Sequence, residues 1–361
     1  MKPLSNDVKK LEMMAVIKDK PKKGFSYKKV KLSTDLKPGE VLIKINSVSF
    51  CGTDSHIYRY DNWAKSHLDL PLIVGHEFSG VIIKMAKDVS RLNIGDIVSA
   101  ETHIICNECE FCLRGEGHIC ENTEIIGVHR DGCFASYIKI PAANCIVNNN
   151  VEDKSYLSVQ EPLGNAVHTV THFPVKDKSV VILGCGPIGL MGIDVAKAYG
   201  VSKVIAIEVN QYRRDLAKDL KADYIINPLE EDVYKKVMEY TNGKGADIIC
   251  EFSGNVTAIE TAFKYIKPGG GMSMLGLPNE NIEIDLANDV VFKGINIYGV
   301  VGRRIYETWD KVNYLVKNNL LNLDKIVTHQ FPLNKIKEAA EIMESKNCGK
   351  IILIPGDEIN E

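Results

Sequence analysis

Four cysteines lie close together in one short stretch of the sequence and could hold a metal ion. They are Cys106, Cys109, Cys112 and Cys120, with two residues between successive members of the first three and seven before the last. Four thiolates at about 2.3 Å from one zinc ion form a closed tetrahedral site without a position for substrate. The spacing therefore predicts a structural zinc site. An iron–sulfur cluster and unligated thiols are the alternatives, although the loop lacks the proline that follows the last cysteine of ferredoxin-type runs.

A second motif has the glycine spacing of a dinucleotide-binding turn, and it reads Gly184-Cys185-Gly186-Pro187-Ile188-Gly189. It follows an apolar run and opens a stretch of helical character. The first glycine permits a tight turn, the second lets the backbone approach a pyrophosphate, and the third lets the helix pack on the strand. The helix N-terminus then offers N–H donors and a positive dipole to the phosphates. Taken alone, the motif also fits an ordinary glycine-rich turn.

An acidic residue at the end of the next predicted strand strengthens the nucleotide interpretation. Glu208 lies nineteen residues beyond Gly189, where an acid would bind the ribose hydroxyls. A carboxylate there repels a 2′-phosphate, so the pattern favours NAD over NADP. Arg213 and Arg214 weaken this preference, because an arginine can accept a 2′-phosphate; they could instead flank the adenine or face solvent.

These motifs fall in two regions of different character. From about residue 163 onwards, short apolar runs such as Ser179–Leu183 and Lys203–Ile207 alternate with helical stretches. This order predicts βαβ units and hence a parallel, doubly wound sheet. The preceding residues are rich in glycine, turns and short β-type runs, which predicts a β-rich irregular domain. The pattern of the final segment, 303–361, fits either domain, with a helix near 307–318 and a strand over 350–354.

Composition sets the class of protein. The 361 residues suffice for about two domains, and 45% hydrophobic with 25% charged residues is ordinary globular composition. A net charge of −3 without long runs of one sign does not favour nucleic-acid or anionic-membrane partners. The N-terminus lacks the apolar core of a secretory signal, and no apolar run approaches the roughly 18 residues that span a bilayer. We therefore expect a cytoplasmic protein whose ten cysteines are thiols or metal ligands.

Two further stretches, Cys51-Gly52-Thr53-Asp54 and Gly75-His76-Glu77, complete a larger pattern. With the four-cysteine loop and the glycine turn, the chain resembles the zinc-containing medium-chain dehydrogenase family over nearly its whole length. The resemblance implies an α/β protein with a GroES-like catalytic domain over 1–163 and 303–361. It also implies a Rossmann domain with a doubly wound parallel sheet over 164–302, which binds NAD. The first dozen or so residues, ahead of Met14, are expected to extend beyond the usual start.

The resemblance implies a second zinc site, which is catalytic. Its ligands would be Cys51, His76 and Glu77, with an open position for the substrate hydroxyl. Zinc there acts as a Lewis acid and lowers the pKa of the hydroxyl, so that an alkoxide can form near neutral pH. Glu161 would ligate the ion or tune proton transfer. The family more often has aspartate at this position, so the longer glutamate changes the reach to the metal.

The resemblance also assigns a proton relay and further cofactor contacts. Thr53 and His56, three residues apart, would pass the hydroxyl proton towards solvent, and histidine has a suitable pKa for this task. The implied NAD contacts are Ile188, Glu208, Arg213, Leu275, Gly276, Leu277, Gly299 and Val300. A homotetramer is the implied assembly.

Less generic stretches, such as Gly164-Asn165-Ala166-Val167-His168-Thr169 and Glu307-Thr308-Trp309, are similar to the branch that oxidises the 3-hydroxyl of L-threonine. The implied products are 2-amino-3-oxobutanoate and NADH. A polyol or diol dehydrogenase of the sorbitol or 2,3-butanediol type is the alternative, since Glu161-Pro162-Leu163 fits that branch as well. The contact to a substrate carboxylate is not located, because Arg303-Arg304 replaces an arginine followed by an acid. A non-catalytic relative would be expected to lose Cys51, His76 or Thr53.

Overall fold

The computed structural model describes residue 4, residues 8–152 and residues 154–356. Residues 1–3 and 5–7 of the expected N-terminal extension therefore lie outside the described residues. The chain forms two compact units. The first unit comprises Met1–Glu161, Val327–Ser345 and Lys350–Glu361, and the second comprises Pro162–Ile326 and Lys346–Gly349.

The elements are numbered in chain order. The strands are β1 Lys10–Lys18, β2 Ser26–Ser33, β3 Glu40–Phe50, β4 Leu72–Ile73, β5 Glu77–Met85, β6 Ile97–Ala100, β7 His103–Ile104, β8 Glu124–Ile125, β9 Tyr137–Pro141, β10 Cys145–Val147, β11 Ser179–Leu183, β12 Lys203–Ile207, β13 Tyr224–Ile226, β14 Ala246–Glu251, β15 Ile266–Met274, β16 Asn296–Gly299, β17 Val327–Pro332 and β18 Lys350–Ile354. The helices are α1 Gly52–Arg59, α2 Asn62–His67, α3 Glu110–Leu113, α4 Gln160–Thr171, α5 Pro187–Ala198, α6 Gln211–Asp219, α7 Val233–Tyr240, α8 Val256–Tyr265, α9 Glu307–Lys317, α10 Leu323–Ile326 and α11 Ile336–Ser345.

The first unit is β-rich, as the sequence predicts. Its largest sheet has the order β10-β6-β5-β3-β18-β17, and β9 also pairs with β3. The central strand β3 is buried along most of its length, because its apolar residues are covered on both faces. Antiparallel pairing of β3 with β5 sets Ser49 opposite Glu77, and pairing with β18 sets Phe50 opposite Ile351. This register brings residues that are far apart in sequence to one end of the sheet.

The second unit contains the doubly wound sheet. Its strands are all parallel in the order β13-β12-β11-β14-β15-β16, and helices connect successive strands. Strands β11 and β14 are buried at nearly every position, as parallel strands covered by helices on both faces must be. The predicted α/β class and the parallel sheet are confirmed. Ligands of such sheets bind at the carboxyl ends of the strands.

The division of the chain differs from the predicted domains at residues 303–326. The sequence prediction joined this segment to the catalytic domain, whereas its contacts place it in the second unit. Helix α9 buries Trp309 and Val312, and the backbone N–H and side-chain amide of Asn322 donate to the Asp194 carboxylate at 2.6 and 2.8 Å. Packing against α5, rather than sequence pattern, decides where this segment belongs.

Two wider features concern the whole chain. Among the helices that the structure describes, none is both long enough and apolar enough to cross a membrane. All ten cysteines are free of disulfide bonds, so each is available as a thiol or a metal ligand.

Candidate functional site

The four-cysteine loop brings its sulfur atoms together. The Sγ–Sγ separations are 4.0 Å for Cys106–Cys112, 3.8 Å for Cys109–Cys120 and 3.5 Å for Cys106–Cys120. A disulfide needs about 2.05 Å. A tetrahedron of sulfurs at about 2.3 Å from a zinc ion has edges of about 3.8 Å. The loop therefore has the donor set and the spacing of a closed zinc site.

Backbone donors support negative charge in this loop. The N–H of Cys109 points to Cys106 Sγ at 3.3 Å, and the N–H of Cys106 points to Cys120 Sγ at 3.4 Å. The backbone N–H groups of Glu108 and Cys109 lower the pKa of Cys106 to about 6. Because zinc binds thiolates rather than thiols, these donors favour the metal-binding form.

A second set of metal-ligand side chains meets at one end of the large sheet. Cys51 follows the last residue of β3, His76 precedes β5, and Glu77 begins β5. The ligand atoms of these three residues lie within 4.8 Å of one another. Three ligands of this kind, with thiolate, imidazole and carboxylate donors, are typical of a catalytic zinc site with one open position. The structure brings together the three residues that the sequence resemblance grouped.

The surroundings of this cluster favour a positive ion. His76 is buried, and its Nδ1 has no hydrogen-bond partner among the described residues. Burial by itself lowers the pKa of His76, but Cys51, Asp54 and Glu161 outweigh it and raise this pKa to about 10. A site that stabilises a charged imidazole so strongly also suits a divalent metal. The donor set fits zinc, and His76 Nδ1 lies 3.9 Å from Asp54 Oδ1.

A buried lysine fixes the carboxylate of the cluster. Lys350 Nζ lies 2.6 Å from Glu77 Oε2 and 2.8 Å from Oε1, and it also donates to the carbonyl of Phe50 at 2.9 Å. Ser49 Oγ donates to Glu77 as well. The side chains of Lys350 and Glu77 are only 2% and 0% exposed. The carboxylate is therefore both neutralised and held in one orientation.

The sequence reasoning missed these partners of Glu77. The available signal was Lys350 itself, a charged residue that opens a strongly apolar strand, since lysine is rarely buried without a partner. The identity of that partner depends on β3 lying between β5 and β18, which only the sheet order reveals.

The two predicted relay residues lie on α1. Cys51 Sγ is 4.0 Å from Thr53 Oγ1, so the hydroxyl borders the metal cluster. His56 is 48% exposed, and its Nδ1 lies 2.5 Å from Asp61 Oδ2. Helix α1 thus carries one residue beside the cluster and one at the solvent. Asp61, which also caps α2, is a histidine partner that the sequence did not reveal.

Glu161 has a less direct position than the three clustered residues. It is buried in the first turn of α4 and ends the first of the three segments that form the first unit. Its carboxylate is not part of the group of ligand atoms that lie within 4.8 Å of one another. Its charge nevertheless raises the pKa of His76, so it acts on the site electrostatically.

The glycine turn occupies the predicted position between β11 and α5. Gly184 has a φ of +88°, and a Cβ there would lie 2.7 Å from Ser253 Cβ, so only glycine fits. Glu208 directly follows the adjacent strand β12, and its Oε2 accepts the N–H of Cys185 at 2.7 Å. Its Oε1 accepts the N–H of Asn210 at 2.8 Å. The carboxylate is therefore fixed beside the turn.

A cavity of about 610 Å³ lies at this edge of the second unit. Its lining includes Gly184, Gly186, Glu208, Arg213, Ser253 and Lys346. Arg213 Nε is buried and has no hydrogen-bond partner in the described part of the chain. Arg214 instead donates to the backbone carbonyls of Glu208 and Val209. Of the two arginines, Arg213 faces the cavity, and a polar ligand there would satisfy it.

The remaining predicted cofactor residues lie at the same edge but outside the cavity lining. Ile188 is in the first turn of α5, and Leu275, Gly276 and Leu277 directly follow β15. Gly299 ends β16, and the N–H of Val300 donates to the carbonyl of Met274 at 2.8 Å. Leu277 is 88% exposed. The carboxyl ends of β15 and β16 thus extend the surface on which a dinucleotide would lie.

Comparison with known proteins agrees with this geometry. Residues 37–150 match the alcohol dehydrogenase GroES-like domain, and residues 187–318 match the zinc-binding dehydrogenase model. The L-threonine 3-dehydrogenase of Caldanaerobacter subterraneus subsp. tengcongensis is 48% identical over 95% of this chain and 99% of its own length. This chain belongs to the zinc-binding dehydrogenase family. The predicted family and fold class are confirmed.

Two other relatives of this dehydrogenase bear on its substrate. The L-threonine 3-dehydrogenase of Pyrococcus abyssi is 45% identical over 95% of this chain and 99% of its own length. The crystal structure of 2R,3R-butanediol dehydrogenase from Bacillus subtilis superimposes with a TM-score of 0.85. It is 25% identical and covers 95% of this dehydrogenase and 100% of its own chain. Sequence similarity is therefore much greater to the threonine enzymes than to this diol enzyme.

Proposed function

We propose that this dehydrogenase oxidises the 3-hydroxyl of L-threonine with NAD⁺, giving 2-amino-3-oxobutanoate and NADH. The observation that carries the proposal is near full-length identity of 48% to an L-threonine 3-dehydrogenase, combined with an intact metal-ligand cluster. The reaction requires a metal centre, which the first unit supplies, and a dinucleotide, for which the second unit has a cavity.

Cys51, His76 and Glu77 are the residues that would hold the catalytic zinc ion. When bound, zinc withdraws electron density from the substrate hydroxyl and makes its proton more acidic. Glu161 tunes the site by its charge or provides a further ligand. Lys350 keeps the Glu77 carboxylate in place by the contacts described above.

The hydroxyl proton leaves through residues of α1. Thr53 lies beside Cys51 and passes the proton on, and His56, which is half exposed, releases it to water. The Asp61 carboxylate accepts a hydrogen bond from His56 Nδ1–H and thereby orients the imidazole ring. This arrangement follows the general pattern in which a carboxylate fixes the tautomer of a catalytic histidine.

The second unit would bind NAD⁺, which would act as the hydride acceptor for the reaction. The glycine turn and the N-terminus of α5 would hold the pyrophosphate, and Glu208 would bind the ribose hydroxyls. The carboxylate of Glu208 supports NAD over NADP, since a 2′-phosphate would meet its negative charge. Membership of the zinc-binding dehydrogenase family supports a nicotinamide dinucleotide in general, and the preference for NAD is our proposal.

The four-cysteine loop would hold a second, structural zinc ion, which makes two per subunit. The sulfur separations of 3.5–4.0 Å support this assignment. The free state of all ten cysteines supports a reducing compartment such as the cytoplasm.

Self-association would cover an exposed apolar edge of the second unit, as the homotetramer implied by the family requires. Strand β16 is an edge strand of the sheet. Exposed apolar side chains lie on it or shortly before it, namely Leu286, Val291, Phe292 and Ile297. Edge strands and apolar patches of this kind are commonly buried by a partner. Light scattering would give the number of subunits.

The direct test is NADH formation at 340 nm with L-threonine, sorbitol and 2,3-butanediol as substrates, with and without a chelator. We expect turnover with threonine that the chelator abolishes. Turnover with a polyol or diol but not with threonine would replace the substrate and favour the diol alternative that the butanediol dehydrogenase structure represents. Bound zinc without turnover on any alcohol would refute an enzymatic role.

A further inference from the structure

A buried glutamate in the second unit contacts two loops beside the nucleotide cavity. Glu251 is the last residue of β14 and is fully buried. It does not line the cavity and belongs to none of the motifs found in the sequence. A carboxylate is rarely buried at the carboxyl edge of a parallel sheet unless it is paired or bonded, so its contacts require an explanation.

The carboxylate organises the turn that follows β14. Glu251 Oε1 accepts the N–H of Ser253 at 2.7 Å, the hydroxyl of Ser253 at 2.6 Å and the N–H of Gly254 at 2.8 Å. Three donors from two consecutive residues thus converge on one oxygen. Because three hydrogen bonds end on Oε1, this turn has a single preferred shape, while Oε2 has no hydrogen-bond partner among the described residues.

That turn forms part of the cofactor surface. Ser253 lines the cavity, and its Cβ lies where a side chain on Gly184 would have to be. The position of Ser253 therefore sets how close another group can approach the first glycine of the dinucleotide turn. A displaced Ser253 would narrow or widen the cavity at the place where a pyrophosphate would lie.

Glu251 also contacts the loop after β15. Its backbone carbonyl accepts the N–H groups of Leu275 and Gly276 at 3.0 and 3.2 Å. A Cβ on Gly276 would lie 2.4 Å from Glu251 Oε2, so the carboxylate packs directly against this glycine. Leu275 and Gly276 are two of the residues expected to contact NAD. One buried side chain is thus in contact with both loops that follow β14 and β15.

We infer that Glu251 is a positioning residue for the dinucleotide. Its carboxylate sets the shape of the Ser253–Gly254 turn and packs against Gly276, and it thereby determines cofactor affinity without touching the cofactor. The inference rests on the proposed use of NAD.

The test compares buried carboxylates of the same unit. Glu251→Ala removes the acceptor, Glu251→Asp keeps the charge on a shorter arm, and Glu251→Gln keeps an acceptor of the same shape. Asp194→Ala is the matched control, because Asp194 is similarly buried and also accepts a backbone N–H, from Asn322. Neither Asp194 nor Asn322 lines the cavity, whereas Ser253, the partner of Glu251, does. The dissociation constant of NADH is measured by fluorescence, and the melting temperature and zinc content are measured in parallel.

We expect Glu251→Ala to raise the dissociation constant of NADH by about tenfold or more, from the loss of the three hydrogen bonds that Glu251 Oε1 accepts. Glu251→Asp should raise it by a smaller factor, and Glu251→Gln should stay within about threefold of the original protein. Asp194→Ala should lower the melting temperature and leave NADH binding unchanged. Zinc content should be equal in all variants.

Two results would overturn the inference. One is an unchanged NADH affinity in both Glu251→Ala and Glu251→Asp; if the alanine variant fails to fold, the aspartate variant alone decides. The other is an equal loss of NADH affinity in Asp194→Ala, which would show that removing any buried carboxylate of this unit weakens NADH binding. Failure of the unaltered protein to bind NADH would instead refute the proposed cofactor, so the two failures are distinguishable.

Discussion

The two metal-ligand clusters of the first unit are built in opposite ways. The four-cysteine loop takes every ligand from fifteen consecutive residues, 106–120, and backbone N–H groups of the same loop stabilise its thiolates. The Cys51 cluster draws its ligands from the ends of two strands, and a lysine from a third strand balances its carboxylate. A closed site can thus be local, whereas a site with an open position depends on tertiary structure for both geometry and charge.

Replacement of Cys51 is expected to have the largest effect on turnover, and it distinguishes the functions of the two clusters. We expect Cys51→Ser to lower turnover with L-threonine by about a thousandfold or more, because the variant loses the Lewis acid that activates the hydroxyl. Zinc content should fall by one ion per chain while the other ion remains. Turnover equal to that of the unaltered protein, measured at 340 nm, would contradict the assignment of this cluster as catalytic.

The second-largest expected effect is the loss of stability on replacing Lys350, whose charge balances the Glu77 carboxylate of the Cys51 cluster. Lys350→Met leaves Glu77 buried without its cation, and we expect a loss of about 3–5 kcal/mol in the free energy of unfolding. Denaturant unfolding measures this loss. The control is Lys28→Met, which removes a lysine whose partner Asp19 is at the surface and should change stability by about 1 kcal/mol or less. Equal losses in both variants would show that the buried pair has no special role.

Removal of one cysteine of the loop should affect stability and leave the chemistry intact. We expect Cys112→Ser to lose the structural ion and to lower the free energy of unfolding by about 2–4 kcal/mol, since metal binding contributes to folding. The initial turnover per remaining catalytic ion, measured at low temperature, should stay near that of the unaltered protein. An immediate and complete loss of turnover with full zinc content would contradict this division of roles.

The smallest expected effect on turnover is that of replacing Asp61, the partner of His56 in the proposed proton relay. Asp61→Asn keeps the cap of α2 but weakens the contact to His56, and the pair is partly exposed. Exposed pairs contribute about 0.2–1 kcal/mol, so turnover should fall by no more than about fivefold. Asp35→Asn, at an exposed aspartate near β2, serves as the control. A loss beyond a hundredfold would mean that Asp61 is part of the chemistry rather than a support for it.

The same contrast explains what could be predicted from the sequence. The four-cysteine loop and the glycine turn are local, so spacing alone specified their ligands and their place between elements. The ligand set of Cys51, His76 and Glu77 has no such spacing, and only the family resemblance grouped it. Lys350 and Asp61 were missed because their partners are set by sheet order and by the capping of a short helix.

The unit to which residues 303–326 belong depends on packing for a related reason. The helix predicted near 307–318 is present as α9, but its pattern does not say which unit buries Trp309. The contacts of Asn322 with Asp194 are long-range, and they decide the matter. Element types followed from hydrophobic periodicity, whereas the assignment of elements to units required packing.

The short segment Lys346–Gly349 belongs to the second unit, although its sequence neighbours on both sides belong to the first. Lys346 lines the nucleotide cavity, and Asn210 donates to Asn347 at 3.3 Å. A gene fragment encoding 162–326 would therefore contain the complete parallel sheet but lack Lys346, one of the residues that line its cavity. The two units are interleaved along the chain. Replacing the second unit with that of a relative would therefore require two separate segments of sequence, because one continuous segment would leave out Lys346.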